Sequence, residues 1–315
     1  MLPVPMTPTR SSTVTSCQGA AGGRPTYDNV VVTTFLPSLT GSFSTPAGDN
    51  PTVQLMEAAY RDADLDFRYI NCDVKPDGLG DAIRGAVAMG WRGFNCSLPH
   101  KVAVIDYLDE LAPSAAIIGA VNTVVIDGGH LSGENTDGQG FLASLREVTD
   151  PAGARVVIFG AGGAARAIAV ECALAGSASV TIVNRTPERG SELAALVDSR
   201  TPASAEYQPW TPRFAVPSGA TVVINATSIG FGAGSTETLD VDTDSLLPSM
   251  TVADVMANPP MTTWLQAAKA RGCTTLTGLG MLVNQAAVNG RLWTGVELNK
   301  QVMHRELSAI FGLAP

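Results

Sequence analysis

Histidine is scarce in this chain. His100, His130 and His304 are the only three in 315 residues, and they form no ligand cluster. The five cysteines (Cys17, Cys72, Cys96, Cys172 and Cys273) are scattered, odd in number and without metal-ligand spacing. No metal centre is expected, and unpaired thiols fit a reducing cytoplasm. The lack of a Ser-His-Asp arrangement argues against most hydrolase schemes. Basic residues are outnumbered, 20 against 29 acidic, for a net charge of −9. That excludes the basic footprint of a nucleic-acid partner. No apolar run approaches the roughly 20 residues that span a bilayer, so no membrane partner is expected. The apolar fraction is that of a soluble globular enzyme, and the length is enough for two domains; a small-molecule substrate and a monomer or homodimer are expected.

Residues 1–27 have few large apolar side chains and are rich in Pro, Ser, Thr and Gly. They read as a disordered tail. They lack a basic segment followed by an apolar one, so they do not read as a secretory signal.

The strongest positive signal is Val156-Val157-Ile158-Phe159-Gly160-Ala161-Gly162-Gly163-Ala164-Ala165-Arg166. A buried strand runs into a glycine-rich turn and then a helix. Gly160, Gly162 and Ala165 fill the G-x-G-x-x-(G/A) spacing, which lets a backbone approach a pyrophosphate. Gly163 and Ala164 open the helix, whose N–H groups face the phosphates. A second apolar strand at 179–183 completes a βαβ unit. It ends in Asn184-Arg185-Thr186, with Arg189 beyond, where a cofactor without a 2′-phosphate usually meets an acid. A guanidinium offers a 2′-phosphate planar, charge-assisted bonds. The pattern therefore predicts NADP, with Arg185 the main contact, Arg189 in support and the Thr186 hydroxyl assisting.

Strand-like runs are expected at 30–35, 67–74, 93–97, 123–126, 221–225 and 252–256. Helical runs are expected at 52–60, 79–89, 102–111, 281–292 and 299–311, with Thr52 in the N-cap region of the first. The alternation predicts an α/β fold. Three polar clusters mark candidate chemistry: Asn95-Cys96-Ser97-Leu98-Pro99-His100-Lys101, Gly119-Ala120-Val121-Asn122-Thr123 and Glu134-Asn135-Thr136-Asp137-Gly138. Each sits where a strand meets a turn or helix, the usual crevice position in such sheets. Carbonyl reduction needs a hydride donor, a proton donor for the forming alkoxide and polar groups that fix the substrate. Lys101 can donate the proton, and Asp137 can hold it. Taken alone, each also reads as a surface lysine or a helix-start carboxylate.

These clusters resemble those of the shikimate dehydrogenase family. Its N-V-T-x-P-x-K stretch stands here as Asn95–Lys101, its A-V-N-T as Ala120–Thr123 and its N-T-D-G as Asn135–Gly138. Its G-A-G-G-A-x-R, N-R-T, N-A-T-x-x-G and G-x-x-M-L-x-x-Q follow at Gly160–Arg166, Asn184–Thr186, Asn225–Gly230 and Gly278–Gln285. The resemblance covers nearly everything beyond the tail. It implies NADPH-dependent reduction of 3-dehydroshikimate to shikimate, with Lys101 and Asp137 as the catalytic pair. Asn95, Ser97, Asn122 and Gln285 are then substrate contacts. Asn225, Ala226, Thr227 and Met281 join the cofactor contacts, with Met281 near the nicotinamide. It also implies a substrate domain at 28–132, a Rossmann NADP-binding domain at 133–282, and C-terminal helices at 283–315 that return to the first domain.

The chain departs from the family at one end of the substrate. The usual Ser-x-Ser-Pro segment, which holds a carboxylate, is replaced by Gly41-Ser42-Phe43-Ser44-Thr45-Pro46-Ala47-Gly48-Asp49-Asn50-Pro51-Thr52. Counted from the first strand, Ser42 and Ser44 take the serine places. Counted back from Ala58-Ala59-Tyr60, Asn50 and Thr52 do, and this register needs no insertion. The family's D-x-x-Y-N-P tyrosine is Ala257 here. The reading is therefore a dehydrogenase for shikimate or quinate, or a same-fold dehydrogenase whose substrate lacks the carboxylate. The alternative from another class is a non-catalytic NADP-binding regulator, which has no need of both Lys101 and Asp137.

Overall fold

A computed structural model describes residues 26–27, 30–31, 35–230, 232 and 235–313. The tail expectation for 1–27 lies outside the described residues apart from the two-residue strand β1 (Thr26–Tyr27), which pairs with β2 (Val30–Val31). The run expected at 30–35 is likewise described only in part. Cys17 lies outside as well. Residues 1–37 form one compact unit and 38–315 another, and all that follows concerns the second.

Two six-stranded sheets build that unit. The first has the order β4 (Phe67–Asp73), β3 (Ser38–Ser44), β5 (Gly93–Cys96), β7 (Thr123–Asp127), β8 (His130–Glu134) and β6 (Glu110–Leu111). It is mixed: β3 runs parallel to β4 and β5, while β5, β7 and β8 are antiparallel in turn. Strand β3 escaped sequence reading because its residues, SLTGSFS, lack a hydrophobic run. Its partners are α1 (Thr52–Asp62) and α2 (Leu79–Ala88) on opposite faces. The N-cap of α1 is Pro51, not Thr52, which is already helical. The helix expected at 102–111 is also corrected. Only α3 (His100–Ala103) and a 3₁₀ turn at Val104–Tyr107 form before β6. A short helix α4 (Pro113–Ile118) follows, ending at Gly119.

The chain crosses to the second sheet through α5 (Thr136–Arg146). This sheet is wholly parallel, in the order β11 (Ser204–Pro209), β10 (Ser179–Asn184), β9 (Arg155–Phe159), β13 (Val222–Asn225), β15 (Thr251–Asp254) and β16 (Thr274–Leu276). Chain order is thus 3-2-1-4-5-6, the dinucleotide-binding arrangement, and its switch point falls between β9 and β13. A minor pair, β12 (Phe214–Ala215) and β14 (Val241–Asp242), lies beside it. Both sheet faces are covered. Ile158, Ile182 and Ile224 pack against α6 (Gly163–Leu174) and α7 (Pro187–Arg200), and Val157 and Val223 pack toward α8 (Thr263–Ala270). Double coverage explains the unbroken apolar runs of these strands. Finally α9 (Gly278–Thr294) and α10 (Lys300–Ile310) pack Val283, Trp293, Met303 and Leu307 onto Leu55, Tyr60 and Tyr69 of α1 and β4.

Candidate active site

A row of polar residues crosses the first sheet in register: Asn71 on β4, Ser42 on β3, Asn95 on β5, Thr123 on β7 and Glu134 on β8. Residues opposite one another in a ladder share a face, so the row builds one wall of the site. The other face of the same strands, with Phe43, Phe94 and Val124, is apolar and meets Leu79 and Ile83.

Lys101 is carried by α3, and its backbone is tied at both ends. The amide of Ser97 donates to Phe43 O at 3.0 Å, that of His100 to Ser97 O at 2.7 Å, and that of Val121 to Lys101 O at 2.7 Å. The buried His100 ring fixes the turn to Val74 O, with Nε2 at 2.7 Å. From this anchor, Lys101 Nζ donates to Asp137 Oδ2 at 2.6 Å. The pair is 31% and 16% exposed, open enough to meet a ligand and shielded enough to feel a reduced dielectric. Asp137 stands in the first turn of α5, where the helix dipole favours a carboxylate. Asn135 caps that helix by accepting from Gly138 N. The second carboxylate oxygen, Asp137 Oδ1, accepts from Asn122 Nδ2 at 3.0 Å. Asn95 is held nearby, accepting from the hydroxyl of Tyr69 at 2.7 Å. Burial raises that phenol, keeping it a donor across the working pH range, and pushes the Cys96 thiol up to about 12. The neighbouring cysteine is thus no nucleophile.

The 42–52 segment brings both sequence registers into one cluster. Ser42 is fully buried within β3 and donates to Asn71 Oδ1 at 2.9 Å. Asn50 Nδ2 donates to Ser42 Oγ at 3.1 Å, and Asn71 Nδ2 donates to Asn50 O at 3.0 Å. Asn50 also accepts from the amide of Thr52 at 3.0 Å. Ser44 is buried at the end of the strand, whereas Asn50 and Thr52 are half-buried at the turn into α1. Tyr69 and Asn71 were not singled out in the sequence; their i, i+2 alternation along a strand was the available signal.

On α9, Gln285 is half-buried and Met281 is buried. This helix touches α5 backbone to backbone, because a Cβ on Gly140 would stand 2.7 Å from both Met281 O and Gln285 N. Asn289, one helical turn beyond Gln285, is fully buried against Thr123 and Thr136. Sequence reading missed it, although the i, i+4 spacing from Gln285 places both on one side of the helix.

The second crevice lies at the carboxyl ends of β9, β10 and β13. Gly160 has φ 110°, and a Cβ there would meet Ala226 O at 2.9 Å. Nothing lies within 4 Å of where a Cβ on Gly162 or Gly163 would stand. The start of α6 carries no side-chain cap, so its N–H groups face open space, and Ala164 follows in the first turn. Asn184 Nδ2 closes its own turn onto Thr186 O at 2.9 Å. Arg185 is exposed and lies over the Trp210 ring, 5.9 Å from its centroid. The indole N–H donates to Asp240 O at 3.0 Å, and its ring packs 5.1 Å from Phe159. Arg166 takes Glu192 at 3.4 Å, which leaves Arg189 without an ion pair among the described residues. Asn225 is spent inside its loop, donating to Ile229 O and Asp254 Oδ2 at 3.2 Å each and accepting from Thr227 N and Oγ1. It shapes the Ala226-Thr227 turn and offers no free group. Burial raises the Asp254 carboxyl above its usual range, against hydrogen bonds from Met256, Thr262 and Asn225 that lower it. Together, these glycines, the uncapped helix and two unpaired arginines fit a dinucleotide with an extra phosphate.

Among the described residues, no cluster of His, Cys, Asp and Glu could hold a metal ion, and no helix is long and apolar enough to cross a membrane.

Comparison with known proteins gives the family. A model of the shikimate dehydrogenase substrate binding domain matches residues 44–124. Models of shikimate / quinate 5-dehydrogenase and of the shikimate 5′-dehydrogenase C-terminal domain match 143–229 and 278–307. The shikimate dehydrogenase (NADP(+)) of Moorella thermoacetica is 45% identical over 258 residues, covering 81% of this chain and 87% of that one. A solved 5-ketofructose reductase of Gluconobacter sp. strain CHM43, in ligand-free form, is 57% identical. It superposes with a TM-score of 0.86 over 88% of this chain and 100% of its own. A shikimate dehydrogenase crystallised with NADP+ is 35% identical, with a TM-score of 0.80 over 87% of this chain and 96% of its own. The chain belongs to the shikimate dehydrogenase family of oxidoreductases.

Proposed function

We propose that this protein is an NADP-dependent oxidoreductase that interconverts a small polyhydroxylated ketone lacking a carboxylate, of the 5-ketofructose type, with its alcohol. When bound, the nicotinamide supplies or accepts the hydride. The Lys101 ammonium gives its proton to the oxygen of the reduced carbonyl, and Asp137 holds Nζ in place at 2.6 Å. Asn95, Ser97, Asn122 and Gln285 fix substrate hydroxyls. Gly160, Gly162, Gly163 and Ala164 receive the pyrophosphate, Arg185 and Arg189 with Thr186 the 2′-phosphate, and Met281 flanks the nicotinamide. The division into 28–132, 133–282 and 283–315 belongs to the same reading.

The observation that carries the substrate class is the wall formed by Ser42, Asn50 and Asn71. These three are joined to one another, and the cluster holds no cationic side chain. Asp49 adjoins it in the chain. An anionic substrate there must be desolvated beside neutral amides and hydroxyls, at a cost of several kcal/mol unless charge-assisted bonds replace its water. A neutral polyol meets matched partners. The likeness to the 5-ketofructose reductase supports this reading. The second reading, 3-dehydroshikimate to shikimate with quinate as a relative, rests on the 45% identical relative and on the complete Lys101 and Asp137 motifs. A non-catalytic regulator is disfavoured by that same pair. Initial rates of NADPH oxidation with 5-ketofructose and with 3-dehydroshikimate decide the matter. A higher kcat/KM for 5-ketofructose is expected, and the reverse order replaces the first reading by the second.

A further inference from the structure

Hydrogen bonds around the catalytic pair run in one direction, and Asn289 sets it. Its Oδ1 lies 2.8 Å from Thr123 Oγ1 and 2.7 Å from Thr136 Oγ1. These are O–H···O lengths, shorter than N–H···O contacts usually are, so both threonines donate to it. Asn289 Nδ2 has no partner, and the residue is 0% exposed. With their protons spent, the threonine oxygens can only accept. Thr123 Oγ1 accepts from Asn95 Nδ2 at 2.9 Å, and Thr136 Oγ1 from Asn122 Nδ2 at 3.0 Å. The remaining amide protons go to Asn122 O and to Asp137 Oδ1, each at 3.0 Å. Both amide nitrogens are then exhausted, since each carries two protons. Asn122 Oδ1 is enclosed by Thr136 N at 2.6 Å and by the hydroxyls of Thr136 and Thr123 at 3.2 and 3.3 Å. Asn95 Oδ1 accepts only from Tyr69, so it keeps spare accepting capacity and nothing to donate.

We propose that Asn289 is a positioning residue that, through Thr123, locks Asn95 as an acceptor, so the substrate must bring a hydroxyl donor to it. This rests on the polyol reading of the cleft and narrows it: the carbons near the reacting centre carry free hydroxyls, not ethers or further carbonyls. Fluorine in place of a hydroxyl is nearly isosteric and cannot donate. Its electronic effect on hydride transfer is the same in every variant, so the change between variants isolates the hydrogen bond. The experiment compares kcat/KM for D-fructose and 4-deoxy-4-fluoro-D-fructose, with NADP+, in the wild type, Asn289→Leu and Asn289→Asp. If the wild type oxidises shikimate and not fructose, the polyol reading fails, and shikimate with its 4-deoxy-4-fluoro analogue takes over the same comparison.

Asn289→Leu frees the threonine protons and lets the Asn95 amide turn. The preference for the hydroxyl compound should then shrink by about tenfold, the size of one lost neutral hydrogen bond. Asn289→Asp keeps an oxygen facing both threonines and should hold the preference within about twofold of wild type, since the replaced nitrogen made no bond. The KM for NADP+ should stay constant in both, and circular dichroism checks folding. An unchanged preference in a folded Asn289→Leu overturns the proposal. If that variant does not fold, loss of the preference in a folded Asn289→Asp overturns it, and retention supports it.

Discussion

The two sheets solve the problem of holding a ligand in opposite ways. In the second, the interiors of the central strands β9 and β13 are apolar on both faces, and the groups proposed to meet a ligand sit on turns beyond the strand ends: Gly162, Arg185, Thr227. In the first, the chemistry is in the strands themselves, since Ser42, Asn71, Asn95 and Thr123 form a cross-strand row. A turn can change without disturbing the sheet it caps. A residue in the strand row is less free, because Ser42 is bonded to Asn71 and Asn95 to Thr123. The cofactor end is therefore modular, and the substrate end is a coupled network.

The largest effect should come from the group where the network ends. Lys101→Ala is expected to lower kcat by about 10²–10⁴, the usual contribution of a positioned acid–base group, with cofactor affinity retained. Asp137→Asn should also impair turnover, and the double variant should lose less than the product of the two. Independent, multiplicative losses in single-turnover rates would break the picture of a coupled unit.

Arg185→Ala comes next. Losing a charge-assisted phosphate contact should raise the KM for NADP+ roughly ten- to a hundredfold. The KM for NAD+ should hardly move. A rise in substrate KM as well would show that the two ends are less separate than the sheets suggest.

Asn71→Ala removes the acceptor of Ser42 and the clamp on Asn50 together. Substrate KM should rise about fivefold to tenfold, in line with one or two neutral hydrogen bonds. Alanine at Asn50 and Thr52 should do the same, and neither change should alter the KM for NADP+. If all three leave substrate KM intact, the segment lies outside the pocket.

Trp210→Leu is the smallest. Removing the ring under an exposed guanidinium is worth about 0.5–1 kcal/mol. The NADP+ KM should rise about twofold to fivefold, with Trp210→Phe in between. Equal shifts for NAD+ and NADP+ would assign the indole a purely structural part.

The same contrast explains what could be read in advance. The second sheet was legible because double burial writes long apolar runs, as at 156–159, and because the glycine spacing at 160–165 has few other uses. Lys101 and Asp137 were legible as members of motifs, though 36 residues apart. Strand β3 was not, because Thr40, Ser42 and Ser44 alternate with its other residues and break the hydrophobic run. Asn71 and Asn289 were hidden for a related reason. An isolated asparagine says nothing until the ladder register or the helix crossing shows which hydroxyls it meets. The helix expected at 102–111 failed where the apolar periodicity belonged to a 3₁₀ turn and a two-residue strand.

The contact at Gly140 has a consequence for how such an enzyme changes its diet. With no side chain between them, α5 and α9 are welded where they cross, so Asp137, Met281 and Gln285 share one chassis. No rotamer change can slide the proton-handling group relative to the residues expected beside the nicotinamide and the substrate. On the proposed reading, a new substrate is accommodated by the opposite jaw, from Ser42 to Thr52, the segment that differs from the Ser-x-Ser-Pro stretch of the resemblance. The welded half keeps the reaction constant, and the adjustable jaw decides what is fed to it.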